Sequence, residues 1–182
     1  MYMDLKKFTF FSLSHNETGE QVYSLKLLFS FKLLAYLYTM TNPGIYHLFV
    51  YGSLRSGFQS PVYEYISRFF KFIGEAKVKG KLYDLGTYPA GVPTNEDSFI
   101  VGELYQAKNE HEFSWAIGQL DDYEGVDVEA DEIQFYRRDA TEVIIRNESI
   151  LAWIYWYKGD ITSKPEIASG DMLEYLALKN KK

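Results

Sequence analysis

Two short stretches of this 182-residue chain carry residues whose types and spacing suit chemistry. The first is Tyr51-Gly52-Ser53-Leu54, at the exit of the apolar run His47 to Tyr51. Glycine permits a tight turn and close backbone approach, so successive N–H groups of Gly52, Ser53 and Leu54 can point into one concavity and hold an anion or an oxyanion. The same residues also make an ordinary turn at a strand end. They do not form a nucleophile elbow, because Arg55 stands where Gly-x-Ser-x-Gly needs its second glycine. The second stretch is Leu120-Asp121-Asp122-Tyr123-Glu124-Gly125. Glu124 falls at the C-terminal end of a predicted helix, where the dipole and the neighbouring acids Asp121 and Asp122 both oppose its ionisation. A raised pKa is what a general acid or base working near neutrality needs. The alternative is a solvated acidic helix end.

Other chemistries find little support. The chain has no cysteine, which removes disulfides, thiolate metal sites and a thiol nucleophile together. Its three histidines, His15, His47 and His111, share no ligand-like spacing, and the acids near Glu124 have no further ligand pattern, so neither metal nor cofactor is expected. A net charge of −6, with no Lys/Arg cluster of five or more, argues against nucleic acid or an anionic membrane as partner. With 47% hydrophobic and 18% aromatic residues, the chain has the material for a folded core.

The elements that must position these residues follow from periodicity. His47–Tyr51 reads as a buried strand ending in Gly52-Ser53. Ser60-Pro61 opens a helix, with serine as cap, proline at the first position, and Val62, Ile66, Phe69 and Phe70 as inner stripe. Residues 72–83 look extended, Gly86 to Pro93 reads as a loop, and Ile100 to Gln106 as a strand. Glu110 to Tyr123 is the clearest helix: Asn109 caps it, Glu112 stands as in a capping box, and Phe113, Ala116, Ile117 and Leu120 share one face. Strands are expected over Ile133–Arg138, Thr141–Arg146 and Leu151–Tyr157, the last buried on nearly both faces, before a terminal helix from near Ser169. Six or so short strands with two or three helices predict an α+β fold, a small mixed β-barrel or curled sheet with flanking helices.

Residues 1–43 differ from the rest. Their apolar stretch, Leu25 to Tyr38, is interrupted by Lys26 and Lys32, too short to span a bilayer and unlike a secretory signal. Leu25, Leu28, Phe29, Leu33, Tyr36 and Leu37 recur at helical steps. The expectation is an N-terminal extension over 1–43 and a functional domain over 44–182.

Leu48-Phe49-Val50-Tyr51-Gly52-Ser53-Leu54, followed about seventy residues later by Leu120-Asp121-Asp122-Tyr123-Glu124-Gly125, resembles the γ-glutamylcyclotransferase-like, or AIG2-like, family. Tyr88-Pro89-Ala90, Val101-Gly102-Glu103-Leu104-Tyr105, Tyr136-Arg137-Arg138, Ala152-Trp153-Ile154-Tyr155 and the tail from Ser169 to Leu176 agree with it. The resemblance covers about residues 46 to 178. It implies a small mixed β-barrel and release of pyroglutamate (5-oxoproline) from a γ-glutamyl-amino acid or γ-glutamylamine. Tyr51, Gly52, Ser53 and Leu54 would bind substrate and Glu124 would act as acid and base, without a metal.

That reaction is internal: the substrate's α-amine attacks its own γ-carbonyl, so a base is needed more than a nucleophile. An α-amino group with pKa of about 8 is mostly protonated at neutral pH. The Gly52–Leu54 turn would grip the α-carboxylate or developing oxyanion. Tyr136 would offer the pocket a hydroxyl or simply pack its ring, and Arg55 would meet a substrate carboxylate or lie in solvent. The expected partner is a small γ-glutamyl molecule, the expected setting a cytoplasmic monomer or weak homodimer. A non-catalytic binding module of the same fold is the alternative, and a partner-binding role for the N-terminal stretch a third reading.

Overall fold

The computed structural model describes residues 44–58, 60–126, 128 and 133–181. The proposed extension 1–43, with its amphipathic stretch, lies outside the described residues. Strand β1 (His47–Val50) is the centre of the architecture. Alternate side chains of a strand face opposite sides, and here both sides are covered. Phe49 and Tyr51 enter one apolar cluster, Leu48 and Val50 another. This is why the sequence is continuously apolar there instead of alternating.

β1 pairs antiparallel with β4 (Phe99–Ala107), Phe49 opposite Leu104, and parallel with β6 (Glu148–Tyr157), Leu48 opposite Trp153. β2 (Phe70–Asp84) runs antiparallel to β4, with a bulge between Phe72 and Gly74, and meets β5 (Tyr136–Ile145) through Lys77 and Val78. β5 and β6 form a hairpin whose turn residues Arg146 and Asn147 have φ of 50° and 67°, the left-handed pair that such a tight turn requires. The order β2-β4-β1-β6-β5 thus closes on itself as a five-stranded mixed barrel, and β3 (Pro89–Pro93) adds to the far end of β2. Closure leaves those five strands without open edges.

The barrel interior is filled by Phe49, Val78, Ile100, Leu104, Val143, Ile154 and Trp156. Burying each such side chain contributes roughly 1.5–3 kcal/mol. Outside, Ile66 of α1 (Pro61–Phe69) and Phe113, Ala116, Ile117 and Leu120 of α2 (Phe113–Glu124) cover Leu48, Val50 and Tyr155. α1 starts as expected, with Ser60 Oγ accepting from Tyr63 N at 3.3 Å and Pro61 at the first position. α3 (Met172–Lys179) is capped by Asp171.

Several local expectations are corrected. Residues 110–112 form a 3-10 turn capped by Asn109 through His111 N, and Glu112 makes no reciprocal cap. Gly86 to Pro93 is not all loop: Pro89–Pro93 is a strand, tolerated because prolines at the ends of a sheet-edge strand forfeit few ladder bonds. The two strands expected over 133–138 and 141–146 are one, β5, running through Asp139 and Ala140. The terminal helix begins at Met172, not near Ser169. Among the described residues, no helix is long and apolar enough to cross a membrane.

Candidate active site

The chain leaves β1 through Tyr51, still extended at φ −132°, and reverses at Gly52, where φ is +67°. A side chain at Gly52 would be strained in that region and would place its Cβ 2.4 Å from Pro89 Cγ, so only glycine fits. Gly52–Leu54 is a single 3-10 turn closed by Arg55 N donating to Gly52 O at 3.0 Å, and no side chain caps its start. Ser60 Oγ donates to Ser53 O at 2.9 Å, tying the turn to the start of α1. Glu124 is the last residue of α2, which Gly125 ends in the left-handed conformation at φ 64°.

These elements bring Tyr51, Ser53, Leu54, Glu124 and Tyr136 around one concavity of about 350 Å³, measured with its open mouth. Tyr88, Pro89 and Tyr155 complete its walls. Gly52 does not line it, but shapes the turn behind it. The lining residues offer one carboxyl, several hydroxyls and no cationic side chain among the described residues. No group of three or more His, Asp or Glu that could hold a metal ion occurs among the described residues.

Among the described residues, no side chain or backbone N–H pairs with the Glu124 carboxyl. Burial pushes its pKa up to about 7. The sequence expectation located the cause in the helix dipole and in Asp121 and Asp122, and the structure replaces that cause with burial. Asp122 is exposed, and Asp121 is buried with its charge engaged: Arg138 Nε lies 3.2 Å from Asp121 Oδ1, and Tyr155 Oη donates to the same oxygen at 2.9 Å.

Tyr51 lines the cavity, but its hydroxyl is occupied. It donates to Tyr155 O at 2.6 Å and accepts from Gly91 N at 3.2 Å, stapling β6 to β3. Burial holds this phenol well above its usual pKa. Tyr136 approaches Pro89 O at 3.5 Å, and burial, then Glu124, raise its pKa. Its hydroxyl thus stays protonated and donates to Pro89 O at the cavity wall, a long bond that a nearer acceptor in the cavity can replace.

Arg55 answers neither alternative read from the sequence. It is 3% exposed and absent from the cavity lining. Its guanidinium sits 2.7 Å from Asp171 Oδ1, 3.9 Å from Glu103 Oε1 and 3.8 Å from Glu75 Oε2. Glu103 in turn accepts from Ser56 N, Ser56 Oγ and Tyr105 Oη at 2.9, 2.7 and 2.7 Å. Tyr155 had one signal in the sequence: along β6 it falls out of phase with the barrel-filling Ile154 and Trp156, and so faces the helices and the cavity.

The pattern of a family described as gamma-glutamyl cyclotransferase, AIG2-like, matches residues 48–174. A protein of Methanocaldococcus jannaschii named "Putative gamma-glutamylcyclotransferase" is 33% identical over 132 residues, spanning 71% of this chain and 97% of that one. The crystal structure of YkqA from Bacillus subtilis matches 75% of this chain and 42% of its own, at 27% identity and a TM-score of 0.56. An uncharacterized protein of Pyrococcus horikoshii shares the fold over 76% of this chain and 98% of its own, with a TM-score of 0.53 and 22% identity.

Proposed function

The chain belongs to the gamma-glutamyl cyclotransferase, AIG2-like family, and from that premise we propose that it releases pyroglutamate from a γ-glutamyl-amino acid or γ-glutamylamine, with Glu124 as base and then acid. The observation that carries this reading is the Glu124 carboxyl, without a partner among the described residues and raised to about 7, facing the same cavity as the Ser53–Leu54 turn. Glu124 takes a proton from the substrate's α-ammonium, and the freed amine attacks the γ-carbonyl carbon. As the lactam closes and the old C–N bond breaks, two protons in all leave the α-nitrogen and two reach the departing nitrogen, so the carboxyl ends as it began. The N–H groups of the turn hold the α-carboxylate or the transient oxyanion, and the Tyr136 hydroxyl donates to the substrate. Ser53 and Leu54 are thus the binding residues, while the Tyr51 ring forms part of the cavity wall and Gly52 shapes the turn from behind.

The test is pyroglutamate release measured by mass spectrometry for wild type and Glu124→Gln against γ-glutamyl-amino acids and γ-glutamylamines. Wild type is expected to turn over at least one substrate, and the variant to lose about 10²–10⁴-fold in rate. Because the working base is the carboxylate, activity is expected to fall as pH drops through about 7. Binding of a substrate by both proteins with release by neither establishes a binding module instead.

A further inference from the structure

The residue one helical turn before Glu124 is Asp121, on the same face of α2, where Cβ atoms lie about 5–6 Å apart. Its side chain is 8% exposed, and a buried carboxylate must be paired. Arg138 on β5 and Tyr155 on β6 both reach its Oδ1. Arg138 is itself held, its guanidinium 4.6 Å from the centre of the Trp153 ring. Tyr155 lines the cavity beside Glu124. The last turn of α2 is therefore fastened to two adjacent barrel strands through one oxygen atom, three residues before the proposed base.

We propose that Asp121 is a positioning residue for Glu124: its ion pair with Arg138 fixes the helix end to the barrel and cancels, beside the base, a negative charge that would otherwise oppose its ionisation. The inference deepens the proposed function and rests on it for its kinetic consequence. Among the described residues, the groups facing Glu124 are Tyr51 from the end of β1, Tyr88 from the approach to β3, Tyr136 from β5, Tyr155 from β6, and Asp121, Asp122 and Tyr123 of its own helix. Burial raises the pKa values of Tyr51, Tyr136 and Tyr155, which keeps their hydroxyls neutral, and Asp122 and Tyr123 are exposed. Among the described residues, the buried Asp121 and the half-buried Arg138 are thus the paired charges next to the base.

Unlike a general loosening of the structure, this arrangement gives the two halves of the ion pair opposite effects. Asp121→Asn leaves the positive charge of Arg138 uncancelled and stabilises the Glu124 carboxylate. Arg138→Met removes the positive charge 3.2 Å from Asp121 Oδ1 and favours the protonated form of the base. The experiment is ¹³C NMR titration of the side-chain carboxyls in the full chain, with the Glu124 resonance assigned by its loss in Glu124→Gln. The Glu124 midpoint is expected to fall by about one pH unit in Asp121→Asn and to rise by about one in Arg138→Met. Arg138→Lys, which keeps the charge, is expected to stay near wild type, and it decides the matter against Arg138→Met if Asp121→Asn does not fold. The acid limb of the rate profile should move with each midpoint. Midpoints that shift in the same direction, or that do not shift, overturn the proposal. Opposed shifts in a chain that releases no pyroglutamate overturn the reaction and keep the ion-pair role, whereas turnover with an unmoved midpoint does the reverse.

Discussion

Two glutamates close to the Gly52–Leu54 turn have opposite surroundings. Glu103, on β4, is 6% exposed and accepts three hydrogen bonds, two of them from Ser56 immediately beyond the turn, with the Arg55 guanidinium 3.9 Å away. Glu124, at the end of α2, faces the cavity, and among the described residues nothing pairs with its carboxyl. With three donors on its two oxygens, the Glu103 carboxylate is fixed in place. Burial without donors leaves a proton affinity matched to neutral solution. The first arrangement holds the site, and the second is able to act in it.

The same substitution in the two places should separate these roles most strongly. Glu103→Gln removes one of the three carboxylates around Arg55 and replaces an acceptor oxygen of a buried, triply hydrogen-bonded group with an amide nitrogen, and is expected to lower unfolding stability by about 2–3 kcal/mol, read from the urea midpoint. A midpoint equal to wild type would dissolve the distinction. Glu124→Gln should do the opposite, with a pH dependence whose sign is fixed. The folded carboxyl titrates near 7 and the unfolded one near 4.5, so the folded state binds the extra proton between these values. The group costs nothing below about 4.5, and the cost builds as pH rises towards 7. After discounting for partial exposure to solvent, the variant should exceed wild type by about 2 kcal/mol at pH 8 and match it at pH 4. Smallest is Tyr51→Phe, which keeps the ring but leaves Gly91 N and Tyr155 O without their shared hydroxyl. A loss of about 1–2 kcal/mol in stability is expected, with a change in turnover that follows the displaced Tyr88–Pro89 wall. Turnover abolished with stability unchanged would instead make the Tyr51 hydroxyl a direct contact of the substrate.

Legibility in the sequence followed the range of the physics. β1 announced itself because both its faces are buried, and α2 because Phe113, Ala116, Ile117 and Leu120 recur at helical spacing. The start of α1 was readable from Ser60-Pro61, a signal complete within four residues. Pro89–Pro93 was read as loop because proline and glycine speak for turns locally, whereas its strand character comes from pairing with residues 80–84. Arg55 was opaque for a stronger reason: its closest partner, Asp171, is 116 residues away. The cause of the Glu124 shift was missed because Asp121 looked like a second free charge, and its partners lie on β5 and β6. The hydroxyl of Tyr51 resembled a ligand for substrate until both its bonds were seen to run to backbone on other strands.

The parallel pairing of Leu48 with Trp153 has a consequence for how the molecule is born. On the ribosome β1 emerges roughly 100 residues before the strand that seals its second edge, an interval of roughly 5–20 s at ordinary synthesis rates. Its other neighbour, β4, arrives only with residues 103–106. Through that wait Leu48, Phe49 and Val50 form a short, apolar, unpaired edge, the kind of segment that folding chaperones bind and that drives nascent chains to associate. So much distant pairing also places the barrel among slow-folding topologies.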